Sequence, residues 1–197
     1  MIREARPGEL AAVGDLRVAA YEAGGFLSPG YAPELRALGT QGDGTVLVAV
    51  PEDGPAADPA GGPDPARSGG PGPASAGTEG GDGAGVIAGT IMLVTWPLAG
   101  ELVGGPDEAE IRALAVAPGV QHGGVGTGLL LTALNWAELA GARRVVLSTL
   151  PEMRAAHRLY ERNGFRRLPD RDWSPRPGVE LLAYVLELGS TENGQDG

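Results

Sequence analysis

Residues 109–128 read AEIRALAVAPGVQHGGVGTG, and this stretch decides the fold. Ala109 to Ala117 has the composition of a strand and is stopped by Pro118-Gly119. Gly123, Gly124, Gly126 and Gly128 follow. Leu129, Leu130, Ala133, Leu134, Ala137 and Leu139 then keep helical spacing until Gly141. A strand that turns through glycines into a helix lets the backbone approach a ligand and aims several N–H groups outward. The helix adds the positive end of its dipole at the same point. The combination makes an anion site suited to phosphate, although such turns also serve as plain tight connections. Two phosphate motifs are excluded. A dinucleotide fingerprint needs Gly where Leu129 stands, and a Walker loop needs a lysine that the chain lacks.

Outward from this turn the pattern alternates between sheet and helix. Upstream, Ile2 to Ala5 reads as a short strand, Glu9 to Ala23 as an amphipathic helix and Pro33 to Leu38 as a second helix. Thr45 to Val50 and Val86 to Trp96 read as strands. Downstream, Arg144 to Thr149 is a buried-type strand and Pro151 to Asn163 a helix with Ala155, Ala156, Leu159 and Tyr160 on one stripe. Phe165 to Leu168 and Val179 to Leu188 are the last strands, around a loop from Pro169 to Gly178 rich in Pro and Arg. The order β-α-α-β-β-β-α-β-α-β-β predicts an α/β fold, a mixed sheet with helices packed on it.

Composition narrows the chemistry. Of 197 residues, 34 are Gly and 17 are Pro, and the excess concentrates in residues 51–85, with 11 Gly and 7 Pro. Ala is the only residue of the apolar set there, so the segment reads as a disordered insertion in a single domain spanning 1–189. Residues 190–197 read as a disordered tail. The net charge of −10 lies mostly in these two segments, leaving the foldable part near −3. No basic face stands out for a nucleic acid. All 15 basic residues are Arg, which removes Schiff-base chemistry, and the absence of Cys removes disulfides, thiolate metal sites and cysteine nucleophiles. The two histidines, His122 and His157, are too few for a histidine-built metal site. With no signal-like N-terminus and no membrane-length apolar run, the expectation is a cytoplasmic protein that binds neither membrane nor nucleic acid.

Gln121-x-x-Gly124-x-Gly126, directly after the strand IRALAV, resembles the pyrophosphate loop Q/R-x-x-G-x-G/A of the GNAT N-acetyltransferases. Ala156-His157-Arg158-Leu159-Tyr160-Glu161-Arg162-Asn163-Gly164-Phe165 is similar to that family's A-x-x-L-Y-x-x-x-G-F segment, and the two motifs stand in order, one helix and one strand apart. The stretch RDWSPRPG and the Arg-only composition resemble actinobacterial members.

The resemblance implies a mixed, mostly antiparallel sheet of about seven strands flanked by about four helices, acetyl-CoA as cosubstrate, no metal, and transfer to an amine by direct attack in a ternary complex. A non-catalytic acyl-CoA sensor of the same fold is the alternative. Backbone groups of Leu114, Ala115 and Val116 would pair with the pantetheine arm. The Val116 N–H would polarise the thioester, and Gln121, His122, Gly123, Gly124, Val125, Gly126 and Thr127 would hold the pyrophosphate. Glu110 would act as base and Tyr160 as the acid that protonates the leaving thiolate. Phe26, Tyr31 and Trp96, with Tyr21 and Trp173, are candidates for the acceptor pocket, and Glu110, Glu108 and Asp107 would suit a cationic amine. The acceptor would be a small molecule or a protein N-terminus. The resemblance also implies a homodimer. The chain departs from the family at Met153, where many members carry Asn seven residues before the Tyr.

Overall fold

A computed structural model describes residues 1–51, 86–98, 102–121 and 123–189. The expected insertion, apart from Pro51, and the expected tail lie outside the described residues. Eight strands run β1 (Ile2–Glu4), β2 (Thr45–Ala49), β3 (Gly89–Thr95), β4 (Glu108–Val116), β5 (Arg144–Thr149), β6 (Arg166–Arg167), β7 (Trp173–Arg176) and β8 (Val179–Glu187). The helices are α1 (Leu10–Ala23), α2 (Ala32–Ala37), α3 (Val125–Leu139) and α4 (Arg154–Arg162). Strand order across the sheet is β1-β2-β3-β4-β5-β8-β6, with β7 paired to β8. Every pairing is antiparallel except β4 with β5.

Period-two alternation assigns the two faces. Leu47, Ile91, Leu93, Ala109, Ile111, Val145 and Leu147 turn toward α3, whose Leu129, Leu130 and Ala133 are fully buried against them. Val46, Val48, Met92 and Val94 turn the other way and pack on Val13 of α1. Each buried Leu or Val stabilises by about 1.5–3 kcal/mol relative to exposure. β2 and β3 are covered on both faces, and their sequences, TVLVA and GTIMLVT, are accordingly almost wholly apolar.

Two expectations shift. The segment from Pro169 to Gly178 is not only loop, because Trp173–Arg176 forms β7 and pairs with β8 across the Pro177-Gly178 turn. Its Pro175 masks the signal, since proline cannot donate to a ladder, and the pairing tolerates it through a register shift between Trp173 and Arg176. The last helix begins at Arg154 rather than Pro151, with residues 151–152 in a turn.

Candidate active site

The site begins where the sheet fails to stay closed. β4 pairs with β5 from Glu108↔Arg144 to Ile111↔Leu147 and no further. Beyond that point β5 stays with β8 through Thr149↔Leu182, while β4 stays with β3 to Val116↔Gly89. The parting coincides with a bulge, since the β3 register shifts between Thr90 and Met92 and Ala113 sits at φ 49°, in the left-handed region. An alanine held there costs on the order of 1 kcal/mol, a local strain that the surrounding strands enforce.

The bulge frees an edge. Ala117 donates its N–H to Ala88 O at 2.9 Å, so by antiparallel alternation the N–H of Val116 points away from β3, into the gap. A cleft of about 710 Å³ opens along this edge, bordered by Leu114, Ala115 and Val116 on one side and by Ala156, Arg158, Leu159 and Arg162 of α4 on the other. Gln121, Gly124, Val125, Gly126 and Thr127 close its end.

Gly124 is the N-cap of α3 at φ 77°, a conformation that glycine adopts without penalty, and no side chain caps the helix. The first N–H groups of α3 therefore lack intrahelical partners at the cleft's end. Gly89 matters through space instead, because a Cβ there would fall 2.9 Å from Val125 and 3.0 Å from the Ala115 carbonyl oxygen. This glycine lets β3 pass beneath the turn. Of the other loop residues read from the sequence, Gly123 precedes the cap without bordering the cleft, and His122 lies outside the described residues. A backbone anion cradle, two arginines and an unpaired strand edge are the features that an acyl-CoA's phosphates and amide-bearing arm require.

On the opposite side of the parting lies a second cavity of about 430 Å³, lined by Glu110, Arg112, Glu34, Tyr31, Trp173 and Arg176 among others. Tyr21, Phe26 and Met153 border both cavities and mark their junction. Glu110 is 2% exposed, accepts from the Leu102 N–H at 3.4 Å and lies 3.7 Å from the Arg112 Nε. Tyr160 lines neither cavity. It lies in the core at 6% exposure, its ring 5.7 Å from Phe165 and 6.2 Å from Tyr184. Burial, and then the nearby Tyr21 phenol, push its pKa well above the ordinary value, so the hydroxyl keeps its proton. His157 acts structurally, its Nε2 2.9 Å from the Leu150 carbonyl.

Three expected members are elsewhere. Trp96 follows the end of β3 marked by Thr95↔Ala109, the opposite end from Val116, and is 53% exposed. Glu108 is bound by the Gly104 N–H at 2.6 Å, Arg171 at 2.7 Å and Arg144 at 3.3 Å. Burial opposes the charge of Glu108, but these donors hold its carboxyl below the usual carboxylate range. Asp107 sits beside it, and neither lines the acceptor-side cavity. Spacing placed these carboxylates together along the chain, whereas the structure binds Glu108 to donors outside the cavity and leaves Asp107 beside it. Conversely, Arg112 and Arg176 line the cavity and were not singled out, although period two already puts Arg112 on the Glu110 face of β4.

Among the described residues, no helix is long and apolar enough to cross a membrane, and no group of three or more His, Cys, Asp or Glu could hold a metal ion. The model of the acetyltransferase (GNAT) family matches residues 70–165. No curated protein matches the sequence. A GNAT-family protein from Desulfovibrio desulfuricans is 19% identical, with TM-score 0.61 over 95% of this chain and 98% of its own. A GNAT-family acetyltransferase from Staphylococcus aureus Mu50 is 15% identical, with TM-score 0.64 over 96% and 99%. yncA of Salmonella typhimurium, solved with its cofactor acetyl-CoA, is 18% identical, with TM-score 0.58 over 96% and 94%.

Proposed function

We propose that the chain is a member of the GNAT acetyltransferase family, whose model matches residues 70–165, and that it is an acetyl-CoA-dependent N-acetyltransferase working by direct attack in a ternary complex. The observation that carries this reading is the parting of β4 from β5 after Ile111↔Leu147, which sets two cavities end to end at Tyr21, Phe26 and Met153. One cavity suits the donor and the other the acceptor, with the Val116 N–H at the open edge between strands.

The chain's own groups then divide the work. The α3 N-terminus, with Arg158 and Arg162, holds the phosphates, and the edge of Leu114 to Val116 pairs with the amide-bearing arm. Glu110 takes a proton from the acceptor ammonium, directly or through a water. The freed amine attacks the thioester carbonyl, whose developing oxyanion the Val116 N–H stabilises. The new C–N bond forms as the C–S bond breaks, and the second proton shed by the attacking nitrogen ends on the leaving thiolate; the resemblance gives that relay to Tyr160, whose side chain lies outside both cavities. The chain has no Cys, so an acyl-cysteine intermediate has no place in the scheme.

The placement of Tyr160 outside both cavities favours a second reading, an acyl-CoA sensor without turnover. Calorimetric titration with acetyl-CoA, desulfo-CoA and NAD, followed by free-thiol release over an amine panel, separates the two. Saturable binding of both CoA ligands with thiol release supports the enzyme. CoA binding without release from any amine supports the sensor, and no CoA binding overturns both.

A further inference from the structure

The acceptor-side cavity carries more positive charge than acetylation of a plain amine requires. Glu34 and Glu110 are its carboxylates and Arg112 and Arg176 its guanidiniums, of which, among the described residues, only Arg112 lies within ion-pair distance of a carboxylate, Glu110 at 3.7 Å. Arg176 has no such partner among the described residues, and its guanidinium carbon stands 4.8 Å from the centre of the Tyr31 ring. That stacking holds the planar fork beside the cavity with its donors available.

A third arginine stands behind the wall. Arg17 of α1 is fully buried and donates to the carbonyl of Leu38, itself a cavity residue, at 2.6 Å. Its Nε and Nη2 have no hydrogen-bond partner among the described residues. Burial lowers its pKa to about 10, against the opposing pull of Tyr21, Asp43 and Tyr31, so the Asp43 carboxylate is its nearby counter-charge. Tyr31 senses the whole group. Burial raises the pKa of its phenol, Arg112 lowers it, Glu34 raises it, and Arg176 and Arg17 lower it again.

We propose that the acceptor is a zwitterion of amino-acid size, an amine that also carries a carboxylate. Its ammonium faces Glu110 at the junction with the donor cleft, and its carboxylate is received by Arg176 beside Tyr31. This rests on the acetyltransferase reading and names the substrate class of the same site. A cavity of about 430 Å³ holds a small ligand of this kind. The carboxylate supplies the counter-charge that Arg176 lacks among the described residues, and bidentate pairing with the Arg176 fork fixes which end of the molecule meets the base.

The test uses matched acceptors that differ only in the carboxylate: L-leucine against 3-methylbutylamine, L-phenylalanine against 2-phenylethylamine, and β-alanine against ethylamine. Binding is titrated with and without desulfo-CoA, and kcat/KM is read from free-thiol release with acetyl-CoA. The carboxylate-bearing member of a pair should lead by roughly 10- to 100-fold. Arg176→Gln should bring that ratio near one and Arg176→Lys should restore part of it, whereas a merely structural role would lower both members alike. A ratio near one in the unaltered protein, no zwitterion bound or acetylated, or equal losses in Arg176→Gln overturns the proposal. Preferential binding of the zwitterions without thiol release sustains the anion site and instead sinks the acetyltransferase reading.

Discussion

The two cavities on either side of the strand parting are built on opposite principles. The cleft proposed for the donor takes its polar end from Gln121 and from Gly124 to Thr127, and its edge from Leu114 to Val116, so what it offers a ligand is mostly backbone and helix dipole. The acceptor-side cavity draws side chains from α2, β4, β5, β7 and β8 and from the loop between α1 and α2, and its recognition is charge and ring. A backbone site tolerates many side chains and is written locally. A side-chain site depends on which distant segments the fold brings together, and so specificity can change there without disturbing the donor end.

The largest effects should fall on the two residues given the proton transfers, Glu110 in the acceptor-side cavity and Tyr160 in the core beside the cleft. Glu110→Gln and Tyr160→Phe are each expected to lower kcat by about 10² or more while leaving acetyl-CoA affinity within about threefold by calorimetry. Unchanged turnover in both would break the division of labour between cleft and cavity. Because burial keeps Tyr160 protonated above its ordinary range, the rate profile should show no alkaline fall from this group up to about pH 10. On the donor side, Gly124→Val places a β-branched residue at φ 77° and is expected to weaken acetyl-CoA binding about tenfold, for a strain of about 1–2 kcal/mol. Loss of acceptor affinity in that variant, with donor affinity intact, would contradict the local character of the cleft.

Smaller effects sharpen the same contrast. Arg158→Ala and Arg162→Ala should each weaken acetyl-CoA about threefold, an effect that fades as salt rises, since both lie at an open rim. Away from both cavities, Glu9 accepts from Arg3 at 2.7 and 2.8 Å and from the Arg6 N–H at 2.8 Å. The hydrogen bonds from Arg3, then from Arg6, lower its pKa from 4.5 to about 2. A carboxylate depressed in this way contributes stability that is fully present above pH 4.5 and is lost as pH falls toward 2. Thermal melts of Glu9→Gln should show a shallower fall than the unaltered protein across that window, with donor and acceptor binding unchanged at neutral pH.

The predicted order of strands and helices matches the structure because β2, β3, α3 and β5 each carry an uninterrupted period, two for strands and 3.6 for helices. The eighth strand escaped notice because pairing with β8 overrode the proline that argued against it. The glycine turn was legible since a left-handed cap and a free helix end are properties of neighbouring residues. Trp96 and Glu108 were misplaced for the converse reason. An aromatic at a strand end, or a carboxylate two residues from another, has no address until the partner strands and the arginines of other segments are in place.

From the sequence alone came the alternation that builds the sheet, the backbone conformation of the turn before α3, and a composition without Lys or Cys that closes whole classes of chemistry. These depend on short-range sterics, periodicity and residue type, which a linear string records in full. Only the tertiary structure decided that β4 leaves β5 after Ile111, that Ala113 bulges, and that Arg112 and Arg176 share a cavity with Glu110. Each of these is a relation between segments tens of residues apart, fixed by which edges pair and which faces are buried.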